Sequence, residues 1–193
     1  MDNAIPPLQE SERRPVTAVA IGVVNFASST AGLDPEVVQC LSRTFEDVVR
    51  LEVERHGGVM EKLTRGLAVA LFGVAPAHED DPERAVRAAL AIVTELGNVR
   101  AGVASAETLV RGGAEAGLGI AWGPVIEVAT RLEAAAPLRG VLVDEVTCAA
   151  TKDTVAYDEA NADACVVRGL RISHARRSVY LSGEILAASI WGM

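Results

Sequence analysis

The chain has 193 residues, of which 50% are hydrophobic and 23% charged, a balance that is typical of a globular domain and excludes a disordered one. Its net charge of −8 argues against a nucleic-acid partner, because phosphate binding needs a dense basic patch. Aromatic residues make up only 4% of the chain, so the core must be built from Ala, Val and Leu.

The start of the chain is polar, and residues 1–14 are predicted to form a flexible leader without a signal peptide. No apolar stretch is long enough to span a bilayer, so no membrane partner is expected. Cys40, Cys148 and Cys165 lie far apart in the sequence and indicate reduced, mostly packed thiols in a cytoplasmic protein. The three histidines are also scattered and predict no metal cluster.

The first predicted element is a strand over 16–24, where a continuous run of β-branched and small apolar residues indicates burial on both faces. A helix follows, with Asp34 as its N-cap and Pro35 at its first position. Apolar residues then recur at helical spacing until Gly57, which can adopt the left-handed conformation that ends a helix.

The next predicted elements are a hairpin, a helix and a strand. Short apolar runs over 59–63 and 67–73 predict the hairpin. The second helix begins at Asp81, and the strand covers 99–105, before a weakly patterned segment over 107–119. The remaining elements are a helix over 125–135, strands over 141–143, 166–172 and 178–181, and a tail over 184–193 that forms a helical turn or an arm.

This order lacks the strict alternation of strand and helix that a Rossmann sheet requires. It predicts an α+β fold of the ferredoxin-like type, a mixed and mostly antiparallel sheet with helices on one face. We expect a single domain over 15–183, between the leader at 1–14 and the tail at 184–193.

Five stretches resemble, in the same order, motifs of the class III nucleotidyl cyclases. Residues 16–28 resemble V-T-V-L-F-A-D-I-V-G-F-T-S, and 55–73 resemble R-H-G-G-x-x-x-K-x followed by I-G-D-G-x-x-A-x-F-G. The others are 78–90, similar to the helix that follows, 99–107, similar to V-R-I-G-I-x-T-G-E, and 123–132, similar to G-D-x-V-N-x-A-x-R-L. The resemblance covers about residues 14–182 and implies a class III cyclase-like fold.

Members of this family cyclise ATP or GTP with two divalent cations, usually Mg²⁺ or Mn²⁺, held by two aspartates. Such hard cations need anionic oxygen ligands. The resemblance places Gly22 and Gly66 at the two aspartate positions, so we expect no bound metal and no cofactor. The residues that flank them offer no replacement acid: Ile21, Val23, Arg65 and Leu67.

The remaining family positions are only partly kept. Lys62 corresponds to the lysine that contacts the purine, but the partner of that lysine corresponds to Ile120, whose side chain cannot form hydrogen bonds. The transition-state asparagine corresponds to Glu127, and the arginine four residues later is kept as Arg131. Their spacing would allow an ion pair on one helix face, and Glu127 would repel a triphosphate. Arg168 lies near the position of a late phosphate-binding lysine.

Each of these cations also has a purely structural interpretation. Lys62 fits a solvated residue of a sheet edge as well as a nucleotide ligand. Arg131 fits an ion pair better than a phosphate contact, and Arg168 fits a surface residue. His56 fits a helix end, and the acidic run over 79–81 fits favourable charge at a helix N-terminus.

Three functions remain open. The favoured one is a catalytically inactive cyclase-like domain that regulates signalling as a homodimer, since family sites form between two chains and dimerisation can outlast the chemistry. The alternative is a nucleotidyl cyclase with residual activity, or one that is active only as a heterodimer with an intact cyclase chain and uses Mg²⁺ or Mn²⁺. The third is a sensing module that binds a nucleotide or another small molecule without turnover.

Overall fold

The computed structural model describes residues 11–64, 66–74, 77–111, 121–161 and 164–171, which form eight strands and five helices. The strands are β1 (Ser11–Val23), β2 (Val59–Thr64), β3 (Leu67–Phe72), β4 (Val99–Arg111), β5 (Ala121–Trp122), β6 (Val141–Asp144), β7 (Val155–Asn161) and β8 (Ala164–Leu170). The helices are α1 (Phe26–Thr30), α2 (Pro35–Arg55), α3 (Asp81–Leu96), α4 (Pro124–Ala135) and α5 (Glu145–Thr151).

The strands form one sheet in the order β2-β3-β1-β4-β6-β8-β7, with β5 paired to β4 off this path. Every pair is antiparallel except β4 with β6. At the centre, β1 pairs with β4 from Ser11 opposite Arg111 to Val23 opposite Val99. The prediction of an α+β fold with a mixed, mostly antiparallel sheet is therefore confirmed.

The sheet is covered on both faces, because alternate residues of its central strands enter two separate cores. Val19 and Ile21 of β1 pack with α2 and α3 in the first core, and Ala18 and Ala20 pack with α4 in the second. The sequence predicted helices on one face, whereas α4 lies on the other. The reason is that β1 is apolar on both sides, so each face needs a helix to exclude water.

Helix α2 begins and ends where the sequence predicts. The Asp34 side chain accepts a hydrogen bond of 2.9 Å from the backbone N–H of Glu36, and Pro35 is the first helical residue. At the other end, Gly57 has a φ of +82°, the left-handed conformation that closes a helix. The predicted hairpin and the predicted helices α3 and α4 also form, whereas α1, α5, β5 and β7 follow from no pattern noted in the sequence.

Strands β1 and β4 also pair beyond the apolar core. Residues 11–14 were predicted as leader, but they pair with 108–111 of β4. Their polar side chains do not prevent this, because a strand ladder is held by backbone hydrogen bonds. The predicted strand over 178–181 and the tail over 184–193 lie outside the described residues. Within the described part, no helix combines the length and the apolar character needed to cross a bilayer.

Candidate functional site

Gly22 and Gly66, which the resemblance places at the metal positions, lie side by side. Gly22 is paired with Leu67 across β1 and β3, and the backbone N–H of Val23 donates a 2.8 Å hydrogen bond to the carbonyl of Gly66. The alignment with the family motifs is therefore consistent with the geometry of the sheet. Arg65, which the sequence placed beside this pair, lies outside the described residues.

The space beside Gly22 is filled by an acidic side chain of α4. A Cβ placed on Gly22 would lie 2.2 Å from Oε1 of Glu133, whose residue is only 7% exposed. Arg100 of β4 donates a hydrogen bond from Nε to the same oxygen at 2.8 Å. A partly buried ion pair therefore lies at the position that the resemblance assigns to the first metal ligand, and the carboxylate charge of Glu133 is matched by the guanidinium of Arg100.

Glu133 was not predicted as a site residue, because it lies far from both glycines along the chain. The helical spacing of α4 could have indicated it: Glu133 directly follows Leu132 and is four residues after Ala129, and both of these residues lie on the buried side of α4. An acid on the buried side of a helix needs a partner. That requirement points to a cation on the sheet beneath α4, and Arg100 is this cation.

The space beside Gly66 is filled by the aromatic ring of Phe26, the first residue of α1. A Cβ on Gly66 would lie 2.7 Å from Cγ of Phe26. Gly66 also has a φ of +76°, which residues with a side chain rarely adopt. Neither glycine position therefore has room for an added acidic side chain in this arrangement.

The side chains present here do not fit a two-metal centre. Paired hard cations require several anionic oxygens, and the two glycines provide none. The Glu133 carboxylate is held by Arg100. Across the described ranges, no three His, Cys, Asp or Glu side chains are grouped so that they could hold a metal ion.

Glu127 and Arg131, which the resemblance places at the transition-state positions, lie on α4 and are solvent-exposed. The ion pair that the spacing of Glu127 and Arg131 allows is not among the ion pairs of the described residues. Glu127 lies in the first turn of α4, where its negative charge interacts favourably with the helix dipole. Arg131 is therefore an exposed cation of α4 that has no ion pair among the described residues.

Lys62 and Arg168 lie on different parts of the sheet. Lys62 is exposed on β2, at the edge of the sheet, and has no ion pair within the described residues. Arg168 is on β8, with four strands between it and β2, and its guanidinium is bound to Asp158 of β7. This contact agrees with the structural interpretation of Arg168. Ile120, the expected partner position of Lys62, lies outside the described residues.

The structural interpretations of the helix-end residues also agree with the contacts. His56 makes a 2.8 Å hydrogen bond through Nδ1 to the backbone carbonyl of Glu52 at the end of α2. Asp80 occupies the N-cap position of α3, where its side chain pairs with Arg84 one turn along the helix, and this hydrogen bond lowers the pKa of its carboxyl group. Asp81 accepts a hydrogen bond from the backbone N–H of His78. These groups stabilise helix ends.

Two of the cysteines, distant in sequence, meet in the fold. Cys148 of α5 and Cys165 of β8 are both partly buried against the first core. Burial raises the pKa of the Cys148 thiol to about 12, and a hydrogen bond with Cys165 contributes to the increase. Cys148 is therefore protonated at neutral pH and is a poor nucleophile. Cys40, in contrast, is exposed.

The architecture is similar to that of solved cyclase domains. The non-canonical dimeric guanylyl cyclase domain of the RhoGC fusion protein from the aquatic fungus Blastocladiella emersonii superposes with a TM-score of 0.76 at 14% identity, covering 85% of this chain and 99% of that one. The adenylyl cyclase CyaB from P. aeruginosa gives 0.72 at 16%, covering 86% and 98%. This chain has the fold of a nucleotidyl cyclase domain.

A third neighbour is a guanylate cyclase domain solved in complex with GTP, that of RhGC from Catenaria anguillulae. It has a TM-score of 0.75 at 14% identity, and the match covers 84% of this chain and all of that one, 100%. No family model matches the sequence, and no curated protein matches it either. This chain therefore shares the cyclase fold, but the sequence identity is too low for the activity of these neighbours to be assigned to it.

Proposed function

We propose that this chain is a catalytically inactive domain of the class III nucleotidyl cyclase family that acts in signalling as a regulatory, dimerising module. The observation that carries the proposal is the occupation of both metal positions by other side chains. The Glu133–Arg100 ion pair lies against Gly22, and the Phe26 ring lies against Gly66. A missing carboxylate is thus accompanied by packing that leaves no room for one.

The electrostatics support the same conclusion. Cyclisation of a nucleoside triphosphate requires concentrated positive charge near the phosphates. At this position the chain provides one carboxylate and one guanidinium, which neutralise each other. The exposed Glu127 adds a negative charge on α4 close in sequence to Arg131. The Glu133–Arg100 ion pair and the Glu127 carboxylate therefore cannot supply the positive charge of two divalent cations.

Incubation of the purified protein with ATP or GTP and Mn²⁺, followed by mass spectrometry of the products, tests the loss of activity. We expect no cyclic nucleotide above the level of a heat-treated sample, while an intact cyclase assayed in parallel produces it. If product does form, the Arg131→Ala variant shows whether the activity belongs to this chain. Product that disappears in Arg131→Ala would overturn the proposal.

Dimerisation is the second part of the proposal and is tested by a mass measurement in solution. The neighbour from Blastocladiella emersonii was solved as a dimer, which shows that this fold supports one. We expect light scattering after size-exclusion chromatography to give twice the mass of the 20.2 kDa chain. A monomer at concentrations up to about 100 μM would contradict this part, because specific homodimers usually bind more tightly.

A second candidate function is a heterodimer with an intact cyclase chain. It is favoured by the exposure of Lys62 and Arg131, neither of which has an ion pair in the described part of the chain. Such cations could contact a nucleotide whose metals are held by the partner chain. Co-expression with an intact cyclase should then raise activity, Arg131→Ala should abolish the gain, and the exposed control Lys152→Ala should not. No gain on co-expression would eliminate this candidate.

A further inference from the structure

A cavity of about 280 Å³ lies where the end of β1, α1, α2 and the end of α3 meet. It is larger than the cavity of about 150 Å³ that holds benzene in an engineered protein core. Five apolar side chains form its walls: Val23, Phe26, Leu41, Phe45 and Leu96. It is partly open to solvent, and Leu41, which is 49% exposed, belongs to both the cavity and the surface of α2.

The polar groups of the cavity define the chemistry of its ligand. Ser29, Thr30, Thr44 and Asn98 lie among the lining residues, and the described residues around the cavity include no charged side chain. The Thr30 and Thr44 hydroxyls donate to the backbone carbonyls of α1 and α2. The side chains of Ser29 and Asn98 make no hydrogen bond within the described residues. Both residues are solvent-exposed, so two hydrogen-bonding side chains beside the apolar wall have no protein partner in the described part of the chain.

This combination suits an uncharged, largely aromatic or branched molecule with one or two polar groups. Apolar walls with a few polar groups are the usual composition of small-molecule sites. A nucleoside triphosphate does not suit this lining, because its charges would face Val23, Leu41 and Phe45 with no cation among the described lining residues. The cavity is therefore chemically distinct from a nucleotide site.

The cavity also contacts the region of the two glycines. Phe26 lines the cavity and at the same time packs against Gly66. Val23 lines it as well, and its N–H is bonded to the carbonyl of Gly66. A ligand that fills the cavity would press on Phe26 and favour the position in which its ring covers Gly66.

We propose that this cavity binds a small uncharged aromatic molecule with a hydroxyl or amide group, and that such binding is the signal to which the domain responds. The sensing role rests on the proposed function, because a domain without turnover must convey information through binding. The binding itself stands on the geometry of the cavity alone. The two statements are therefore measured separately.

The test is an NMR titration of the ¹⁵N-labelled full chain with 2-naphthol, with the anion 2-naphthoate as the matched charged probe. We expect saturable shifts at residues of the cavity, and binding of 2-naphthoate that is weaker by about tenfold or more, because the charged group loses its hydration against an apolar wall. Shifts spread over the surface without saturation, or equal affinity for both probes, would overturn the proposal.

Two variants on the same helix sharpen the test. Leu41→Trp fills the mouth of the cavity, whereas Leu51→Trp adds the same side chain at an exposed position of α2 that does not line it. The affinity for 2-naphthol should fall by about tenfold or more in Leu41→Trp and stay unchanged in Leu51→Trp. Equal affinities in the two variants would refute the site. Cyclic nucleotide formation by the same samples would instead refute the proposed loss of activity.

Discussion

Replacement of Gly22 by aspartate puts a carboxylate at the position that the resemblance assigns to the first metal ligand and tests directly whether that position is open. In the present packing the new Cβ would lie 2.2 Å from Oε1 of Glu133, so the Glu133 carboxylate must move. Its 2.8 Å hydrogen bond from Arg100 would then be lost. A hydrogen bond to a charged group contributes about 1.5–3 kcal/mol, and overpacking destabilises by about 1–3 kcal/mol.

We therefore expect Gly22→Asp to lower the free energy of unfolding by about 3 kcal/mol, since Arg100 is partly solvated and recovers some hydration when the bond breaks. Glu133→Ala clears the space but leaves Arg100 without its partner. In the double variant the new carboxylate can take over that role. The free energy of unfolding lost in the double variant should therefore be smaller than the sum of the two single losses, by at least about 1 kcal/mol.

The assay is equilibrium unfolding in urea, followed by circular dichroism, for the wild type, both single variants and the double variant. Gly22→Asp combined with Glu127→Ala is the matched control, because Glu127 is an exposed acid on the same helix and should give an additive result. Additivity within about 0.5 kcal/mol in the Glu133 cycle would refute the reasoning. An unchanged midpoint for Gly22→Asp would do so as well.

Three further predictions concern local packing and the thiols. Gly66→Ala should lower the free energy of unfolding by at least about 1–2 kcal/mol, because the φ of +76° is strained for alanine. Adding Phe26→Ala to this variant should recover only the part of the loss that comes from contact with the ring. Wild-type stability of Gly66→Ala in urea would contradict this prediction. Gly102→Ala should lower the free energy of unfolding by about 3 kcal/mol or more, because the new Cβ would lie 2.2 Å from a backbone oxygen of α4, which cannot rotate away as a side chain can. A smaller loss of stability than in Gly66→Ala would be inconsistent with that contact. Iodoacetamide at pH 8 should alkylate Cys40 much faster than Cys148, as followed by mass spectrometry. The alkylation rate of Cys148 should keep rising with pH towards its pKa of about 12. Equal alkylation rates for Cys40 and Cys148 at pH 8 would exclude the buried, protonated state of Cys148.

Motif spacing was sufficient to predict the position of the glycine pair. Two stretches far apart in the chain each presented a glycine where the family has an aspartate, and the antiparallel pairing of β1 and β3 brings Gly22 and Gly66 together. The absence of a carboxylate is a property of the residue itself, so it could be read without a structure. The contact between Cys148 of α5 and Cys165 of β8 could not be predicted, because α5 gave no recognisable pattern and the two elements meet only in the folded sheet.

Local periodicity determined most of the strands and the three longer helices, since backbone conformation depends mainly on neighbouring residues, but it did not predict α1, α5, β5 or β7. The capped and closed α2 and the β2–β3 hairpin are the clearest cases. Which helix lies over which face, and which side chain fills the space of a missing one, depends on contacts between residues far apart in the chain. Glu133, Arg100 and Phe26 therefore emerged only when α4, β4 and α1 were packed around the two glycines.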